Sequence, residues 1–345
     1  MTPSAVTTTR AVHLARPVRG HPEPDDFTLV EEPLPRLADG KALVRVDALS
    51  LDPYLRSLLD NGHLDDPPIR PGEPMAGRAL GTVLASDSLP AGTRVLGETG
   101  WREHAVLPVA ALTPVEVPTG APPSAMLGIL GMPGLTAFAA HARQLLPRAG
   151  ETVVVSSATG GVGSLAGQLA RRAGARTVAI VGSTGKVALA RSLGYDEVVV
   201  RTAPDWISDL HAACPDRVDA YLHMGDQATL DGVAEHLAIG ARVSLCGLID
   251  QSNGAPPTRL RAGALMAARA TAVGMVVYDH LDLAEAHRRE VGDLLARGEI
   301  RLVEDVWDGL ENAGAAFAAL LAGRNHGKVI VEIAATPSPA QGEQQ

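Results

Sequence analysis

Two periods of apolar residues run along this chain, and they occupy different regions. In the first region apolar positions recur every second residue. Lys41–Ser50 (K-A-L-V-R-V-D-A-L-S) sets Ala42, Val44, Val46 and Ala48 on one face, as a half-buried strand requires. Ala11–Ala15, Phe27–Glu31, Met75–Ala85, Thr93–Leu96 and His104–Leu107 read as further strands of a small, glycine-punctuated β domain, with residues 1–10 a loose arm. Pro33 and Pro35 break the second of these runs. The stretch Asp60–Pro74, rich in Pro, Gly and Asp, predicts either disorder or a functional lid.

From Ala125 onward β-branched runs alternate with helical patterns. Gly131–Phe138 opens a helix predicted to end near Pro147. Thr152–Ser156, Thr177–Val181, Val198–Val200, Ala220–Leu222, Arg242–Cys246 and Thr271–Val277 read as strands. Leu165–Ala173, Val187–Leu193, Ala228–Leu237 and Leu260–Ala268 read as helices between them. Such alternation predicts an α/β fold with a parallel sheet covered on both faces. Leu283–Arg297 is a long amphipathic helix, and Val303–Val306 and Val329–Ile333 return as strands to the first domain.

Within this pattern Glu151–Lys186 forms one strand–turn–helix–strand unit, with Gly160, Gly161 and Gly163 at the start of its helix. Glycine there permits a tight turn and lets a pyrophosphate approach the free N–H groups of the helix N-terminus. A bare glycine pattern is weak; one placed between a strand and a helix is much stronger. A structural turn without ligand is the competing explanation. NAD-binding units place an acidic residue about 20 residues on, to accept from the ribose hydroxyl. Here Gly182-Ser183-Thr184-Gly185-Lys186 fill that region and none is acidic. A serine hydroxyl and an ammonium suit a 2′-phosphate, so the expected cofactor is NADP(H). Lys186 is one of only three lysines, with Lys41 and Lys328, which argues against chance placement.

At 345 residues the chain is long enough for two domains. A formal charge of −9 with no basic run excludes a nucleic-acid backbone as partner. No apolar stretch is long enough to span a membrane, and no signal-like run follows the N-terminus, so a soluble, cytoplasmic protein is expected. Cys214 and Cys246 lack the spacing of a zinc cluster.

The chain resembles the medium-chain dehydrogenase/reductase superfamily, within it the zinc-independent leukotriene B4 12-hydroxydehydrogenase, prostaglandin reductase and double-bond reductase group. The resemblance spans residues 10–334. It is carried by Asp52-Pro53-Tyr54-Leu55-Arg56, Met75–Gly81, Gly131–Phe138, Ser157–Gly163, Gly182–Lys186, Cys246-Gly247, Gly274–Asp279 and Gly323–Lys328. It implies a GroES-like β-barrel domain (1–127 and 297–335) and a Rossmann domain (128–296); the Pro/Gln/Ser-rich composition of the tail, 336–345, predicts disorder there. It also implies a homodimer and NADPH-dependent reduction of a carbon–carbon double bond conjugated to a carbonyl. Hydride goes to the β-carbon and a proton to the α-carbon, without metal.

By the same resemblance, Gly160, Gly161, Val162 and Gly163 match the pyrophosphate turn, and Lys186, beside Ser183, the 2′-phosphate lysine. Met132, Thr136 and Asn325 match positions around the nicotinamide; Cys246 belongs to a cofactor-side motif; Tyr54 and Tyr278 fall in the substrate pocket. Three departures stand out. Arg201 replaces a tyrosine at the end of the third strand, and a guanidinium still binds phosphate. Leu222-His223-Met224-Gly225-Asp226 replaces F-D-N-V-G-G. Ser252 replaces the tyrosine of C-G-x-I-x-x-Y-N, a candidate donor to the ribose and the enolate. His223 is a further candidate for touching cofactor or substrate. Three readings therefore stay open on the residues: an enone or enal reductase, an NADP-dependent alcohol dehydrogenase or ketone reductase, and a non-redox member that cyclises or rearranges its substrate.

Overall fold

A computed structural model describes residues 6–333, apart from the side chain of Ser252. The expected tail, 336–345, and residues 1–5 of the expected arm lie outside the described residues. A six-stranded parallel sheet forms the second half of the chain. Its strands run Glu197–Val200, Arg176–Val181, Thr152–Ser156, Val218–His223, Leu237–Leu245, Thr271–Gly274 from edge to edge. Numbered from Thr152–Ser156, that order is 3-2-1-4-5-6, the doubly wound order of a Rossmann domain. It reverses direction beside Thr152–Ser156, and there the first glycine turn sits. Val153, Val154 and Val155 are wholly buried, because helices cover both faces.

A seven-stranded sheet makes the other domain, ordered Glu304–Asp308, Lys328–Glu332, Lys41–Ser50, Ala79–Ser86, Arg94–Gly97, Thr113–Pro114, with His104–Pro108 also paired to Lys41–Ser50. Its two first strands come from the C-terminal end of the chain and its others from the N-terminal end. That closure puts Lys328 next to the loop that follows Ser50. Thr8–Leu14 and Phe27–Pro33 form a separate antiparallel hairpin, bonded to the barrel where Val12 N donates to Trp101 O at 2.8 Å. Among the described residues no helix is long and apolar enough to cross a membrane.

Several elements differ from expectation for physical reasons. Thr8–Arg10 belong to the first strand rather than to a loose arm, because they pair with Glu31–Pro33. Residues 75–78 are not strand: Gly77 takes a positive φ of 153° with its backbone against the Trp101 indole, and the strand starts at Ala79. The helix from Met132 changes at Ala140 to a wider π turn that ends at Leu146. Leu237 begins a strand instead of ending a helix, and the last parallel strand stops at Gly274. Two helices, Trp206–Ala213 and Ala313–Leu321, have no counterpart in the expected pattern. The second packs Phe317 on Trp101 at 5.5 Å between ring centres, with Phe27 closing the cluster.

Where Gly134 packs, an added Cβ would fall 1.8 Å from Ile129 O, so the helix Met132–Ala139 can approach that loop only through glycine. His287 closes the contact, its Nε2 donating to Ile129 O at 2.9 Å. Burial lowers the His287 pKa to about 4. The unfolded chain takes up that proton near pH 6.5, so the unfolded state binds more protons between the two values. Stability is therefore lost as pH falls from about 6.5 towards 4. Urea unfolding should show His287→Gln flattening this acid slope by about 1–3 kcal/mol; an unaltered slope would refute the assignment.

Candidate active site

The strand Thr152–Ser156 delivers the chain to Ser157, whose φ of 49° turns the backbone sharply. Gly160 N then donates to Ser157 O at 3.0 Å, and Ser164 N to Gly160 O at 2.9 Å, which starts the helix Gly163–Arg172. A Cβ on Gly163 would lie 2.5 Å from Ser157 O and 2.8 Å from Ala158 Cα, so the turn closes only around glycine. Beneath it the buried Tyr195 hydroxyl donates to Gly163 O at 2.7 Å. Gly174, at φ 83°, follows the helix end as expected. Gly160, Gly161, Val162 and Gly163 all line one cleft of about 990 Å³ between the two domains. Unpaired N–H groups at a helix start, flanked by glycine, fit a diphosphate.

Lys186, only 8% exposed, lines the same cleft. Burial lowers its pKa, Asp305 opposes that shift and Arg201 adds to it. Among the described residues no hydrogen bond or ion pair engages its ammonium, so a cationic group sits half-desolvated beside the turn. Arg201 also lines the cleft, but its guanidinium pairs with Asp226, which caps the helix Gln227–Ala234 by accepting from Thr229 N at 2.8 Å. Ser183 is exposed and stands outside the cleft wall. The donor set fits the 2′-phosphate of NADP(H), one free cation and one shared.

The altered segment 222–226 is anchored to the turn. Met224 N donates to Ser156 Oγ at 2.7 Å, and Ser157 Oγ donates to Met224 O at 2.9 Å. His223 is wholly buried behind it, bonded through Nδ1 to the Tyr221 hydroxyl at 2.7 Å, its pKa lowered to about 4 by burial. It does not line the cleft. Its imidazole is neutral at pH 7, and its Nε2 is buried with no hydrogen-bond partner among the described residues. Cys246 lines the cleft with a thiol that burial raises to about 12, so it stays protonated.

Met132, Thr136 and Asn325 also line the cleft. Thr136 Oγ1 donates back to Met132 O at 2.9 Å, and Asn325 Nδ2 to Gly327 O at 2.7 Å, which fixes both side chains. Tyr54 and Tyr278 face the same space. Burial raises the Tyr54 pKa far above its ordinary value, and that of Tyr278 in the same direction. Both phenols therefore keep their protons at neutral pH. Tyr278 is 40% exposed, and its hydroxyl reaches Met132 Sδ at 4.0 Å. Ser252 ends the short helix Ile249–Ser252; its side chain lies outside the described residues.

The structure adds residues that the sequence reading passed over. His63, in the loop Asp60–Pro74, packs on Tyr54 at 4.8 Å between ring centres with the planes tilted by 41°, and bonds Ser57 Oγ at 3.2 Å. Leu64, 64% exposed, completes the rim. The loop is tethered where Arg56 donates to Asp60 Oδ2 and to Gly20 O. Lys328 is buried with Asp52 at the junction of the domains, its Nζ 2.8 Å from Asp52 Oδ1. A lysine opening a β-branched run, one of three in the chain, was the available signal. Among the described residues no group of three or more His, Cys, Asp or Glu side chains is placed to hold a metal ion.

Known proteins share this arrangement. Residues 10–115 match the family described as the N-terminal domain of oxidoreductase, and residues 161–291 the family described as zinc-binding dehydrogenase. The chain is 34% identical over 336 residues to the NADPH-dependent curcumin reductase of Escherichia coli, covering 94% of this chain and 96% of that protein. It is 32% identical to the NADP(+)-dependent 2-alkenal reductase of Nicotiana tabacum, covering 94% and 97%. The crystal structure of CurA from Vibrio vulnificus in complex with NADPH superposes with a TM-score of 0.89 at 32% identity, covering 95% of this chain and all of that one. With both family models matched and such identity over nearly the whole chain, the chain belongs to the zinc-independent medium-chain dehydrogenase/reductase superfamily.

Proposed function

We propose that this protein reduces a carbon–carbon double bond conjugated to a carbonyl, using NADPH. The observation that carries the reading is the cleft itself. Its walls present glycine amides, an unpaired ammonium and two phenols held in their protonated state. The relative named 2-alkenal reductase acts, by that name, on a double bond conjugated to an aldehyde. When bound, NADPH supplies the hydride.

The chain's own residues do the rest. Amides of Gly161, Val162 and Gly163 hold the diphosphate, Gly160 shapes the turn with its own amide on Ser157 O, Lys186 with Arg201 holds the 2′-phosphate, and Ser183 borders that phosphate from the exposed side. Met132, Thr136, Cys246 and Asn325 shape the nicotinamide site. As negative charge develops on the substrate's carbonyl oxygen, Tyr54 and Tyr278 donate hydrogen bonds to it. Preorganised donors in a site of low dielectric supply the largest share of such stabilisation.

The barrel domain is drawn as 1–127 and 297–335 and the cofactor domain as 128–296. The parallel sheet lying wholly within 152–274 supports that division. The outer edge of Thr271–Gly274 pairs with no strand among the described residues, and Val273 and Val276 beside it are exposed, which supports a homodimer built across that edge. Two free cysteines fit a cytoplasmic enzyme.

A panel of α,β-unsaturated aldehydes and ketones, followed by loss of NADPH absorbance and by product mass, tests the reaction. Enones should gain two hydrogens. Oxidation of saturated alcohols with NADP⁺ in the absence of enone turnover would overturn the reading. Tyr54→Phe and Tyr278→Phe should each lower kcat about 10- to 1,000-fold with little change in the KM for NADPH; unchanged kcat in both would remove the phenols from the chemistry. Lys186→Ala should raise the KM for NADPH about 10- to 100-fold and leave kcat within about twofold. A large fall in kcat at constant KM would contradict its remote position.

A further inference from the structure

Lys328 reaches three parts of the cleft at once. Its Nζ donates to Leu51 O at 2.6 Å and to Asp52 Oδ1 at 2.8 Å, and Ser50 Oγ donates to Asp52 Oδ2 at 2.5 Å. Asp52 is the N-cap of the helical turn Pro53–Leu59, whose second residue is Tyr54. The lysine stem packs on the phosphate turn, its Cδ 3.0 Å and Cβ 3.6 Å from where a Cβ on Gly161 would lie. In the chain Lys328 directly follows Gly327, whose carbonyl fixes Asn325. Lys328 and Asp52 are 4% and 6% exposed.

A buried ion pair is expensive to desolvate and is weak evidence for stability, so its retention calls for a positional reason. Here that reason is geometric. The pair joins the loop carrying Tyr54, in the barrel, to the glycine turn of the other domain. Glu304, the other carboxylate near the ammonium, is occupied through Oε2 by Ser124 Oγ at 2.7 Å and makes no bond to Lys328.

We propose that the Lys328–Asp52 pair, with Ser50 behind it, is a positioning device. It sets the separation between the phosphate turn and Tyr54, and through them the approach of the nicotinamide to the substrate. This rests on the enone-reductase reading for its catalytic readout. Lys328 and Asp52 touch neither reacting atom; they act through Gly161, Tyr54 and Asn325. The device is a unit, so breaking either end has the same consequence as breaking both.

The test compares Lys328→Met, Asp52→Asn and the double variant with the wild type, using NADPH, its 4-deuterated form and an enone that the wild type reduces. Each single variant should lower kcat about 10- to 100-fold with the KM for NADPH within about threefold. The deuterium isotope effect on kcat should rise, and the double variant should be no slower than either single one. In the free protein, amide exchange should accelerate at Ser157–Gly163 and at Leu55 but not in Thr152–Ser156. Should Lys328→Met fail to fold, Ser50→Ala leaves both charges in place and should still lower kcat about threefold or more. Folded variants with kcat near the wild type, a loss expressed wholly in KM, or single effects that multiply in the double variant would each overturn the proposal. A wild type that reduces no enone defeats the reaction assigned above; the exchange pattern would still test the pair.

Discussion

The close approach of two backbones at Gly163 is the constraint on which the site depends. With Ser157 O 2.5 Å from the position of a Cβ there, no other residue lets the strand Thr152–Ser156 turn directly into the helix Gly163–Arg172. Tyr195 supports the turn from below, and Ser156 and Ser157 fasten the segment around Met224 to its flank. The helix start therefore opens towards the cleft with the amides of Gly161, Val162 and Gly163 unpaired and its dipole directed outward, a fixed site for negative charge that requires no reorganisation when an anion arrives.

Chemistry in the cleft follows from what each wall keeps dry. Burial lowers the pKa of Lys186 and raises those of Tyr54 and Cys246, so the same desolvation that makes the ammonium seek a phosphate keeps the phenol and the thiol protonated. Electrostatic roles are thus divided among the cleft's side chains: a cation in Lys186 and neutral donors in the phenols. The barrel contributes Tyr54 from a loop anchored by Arg56, which reaches Gly20 O, and by the Asp52–Lys328 pair, both links between residues far apart in sequence.

Much of this was legible in the chain because it is local. The β-branched runs, the glycines between strand and helix, and the lysine that follows the second strand all lie within one unit, and their spacing alone indicates the ligand class. The helix Ala313–Leu321 was not legible: A-G-A-A-F-A-A-L-L has no polar face, and amphipathic periodicity vanishes when all sides are buried. Residues 75–78 resemble strand by composition but bend around Trp101, a contact made across the fold. Partners set by tertiary packing were equally hidden. Nothing near Arg201 in sequence indicates that Asp226 takes its guanidinium, nor does His223 betray that Tyr221 and burial hold it neutral. Asp52 and Lys328 meet only because the last strands of the chain return to the barrel.

Everything functional rests on the turn and Lys186 gripping a dinucleotide that carries a third phosphate. Calorimetric titration of the protein with NADPH and, separately, with NADH measures this directly. The ammonium's unpaired state and its place in the cleft predict that NADPH binds at least about tenfold more tightly, since a hydrogen bond to a charged group contributes about 1.5–3 kcal/mol. Equal affinities, or no binding of either nucleotide, would contradict it.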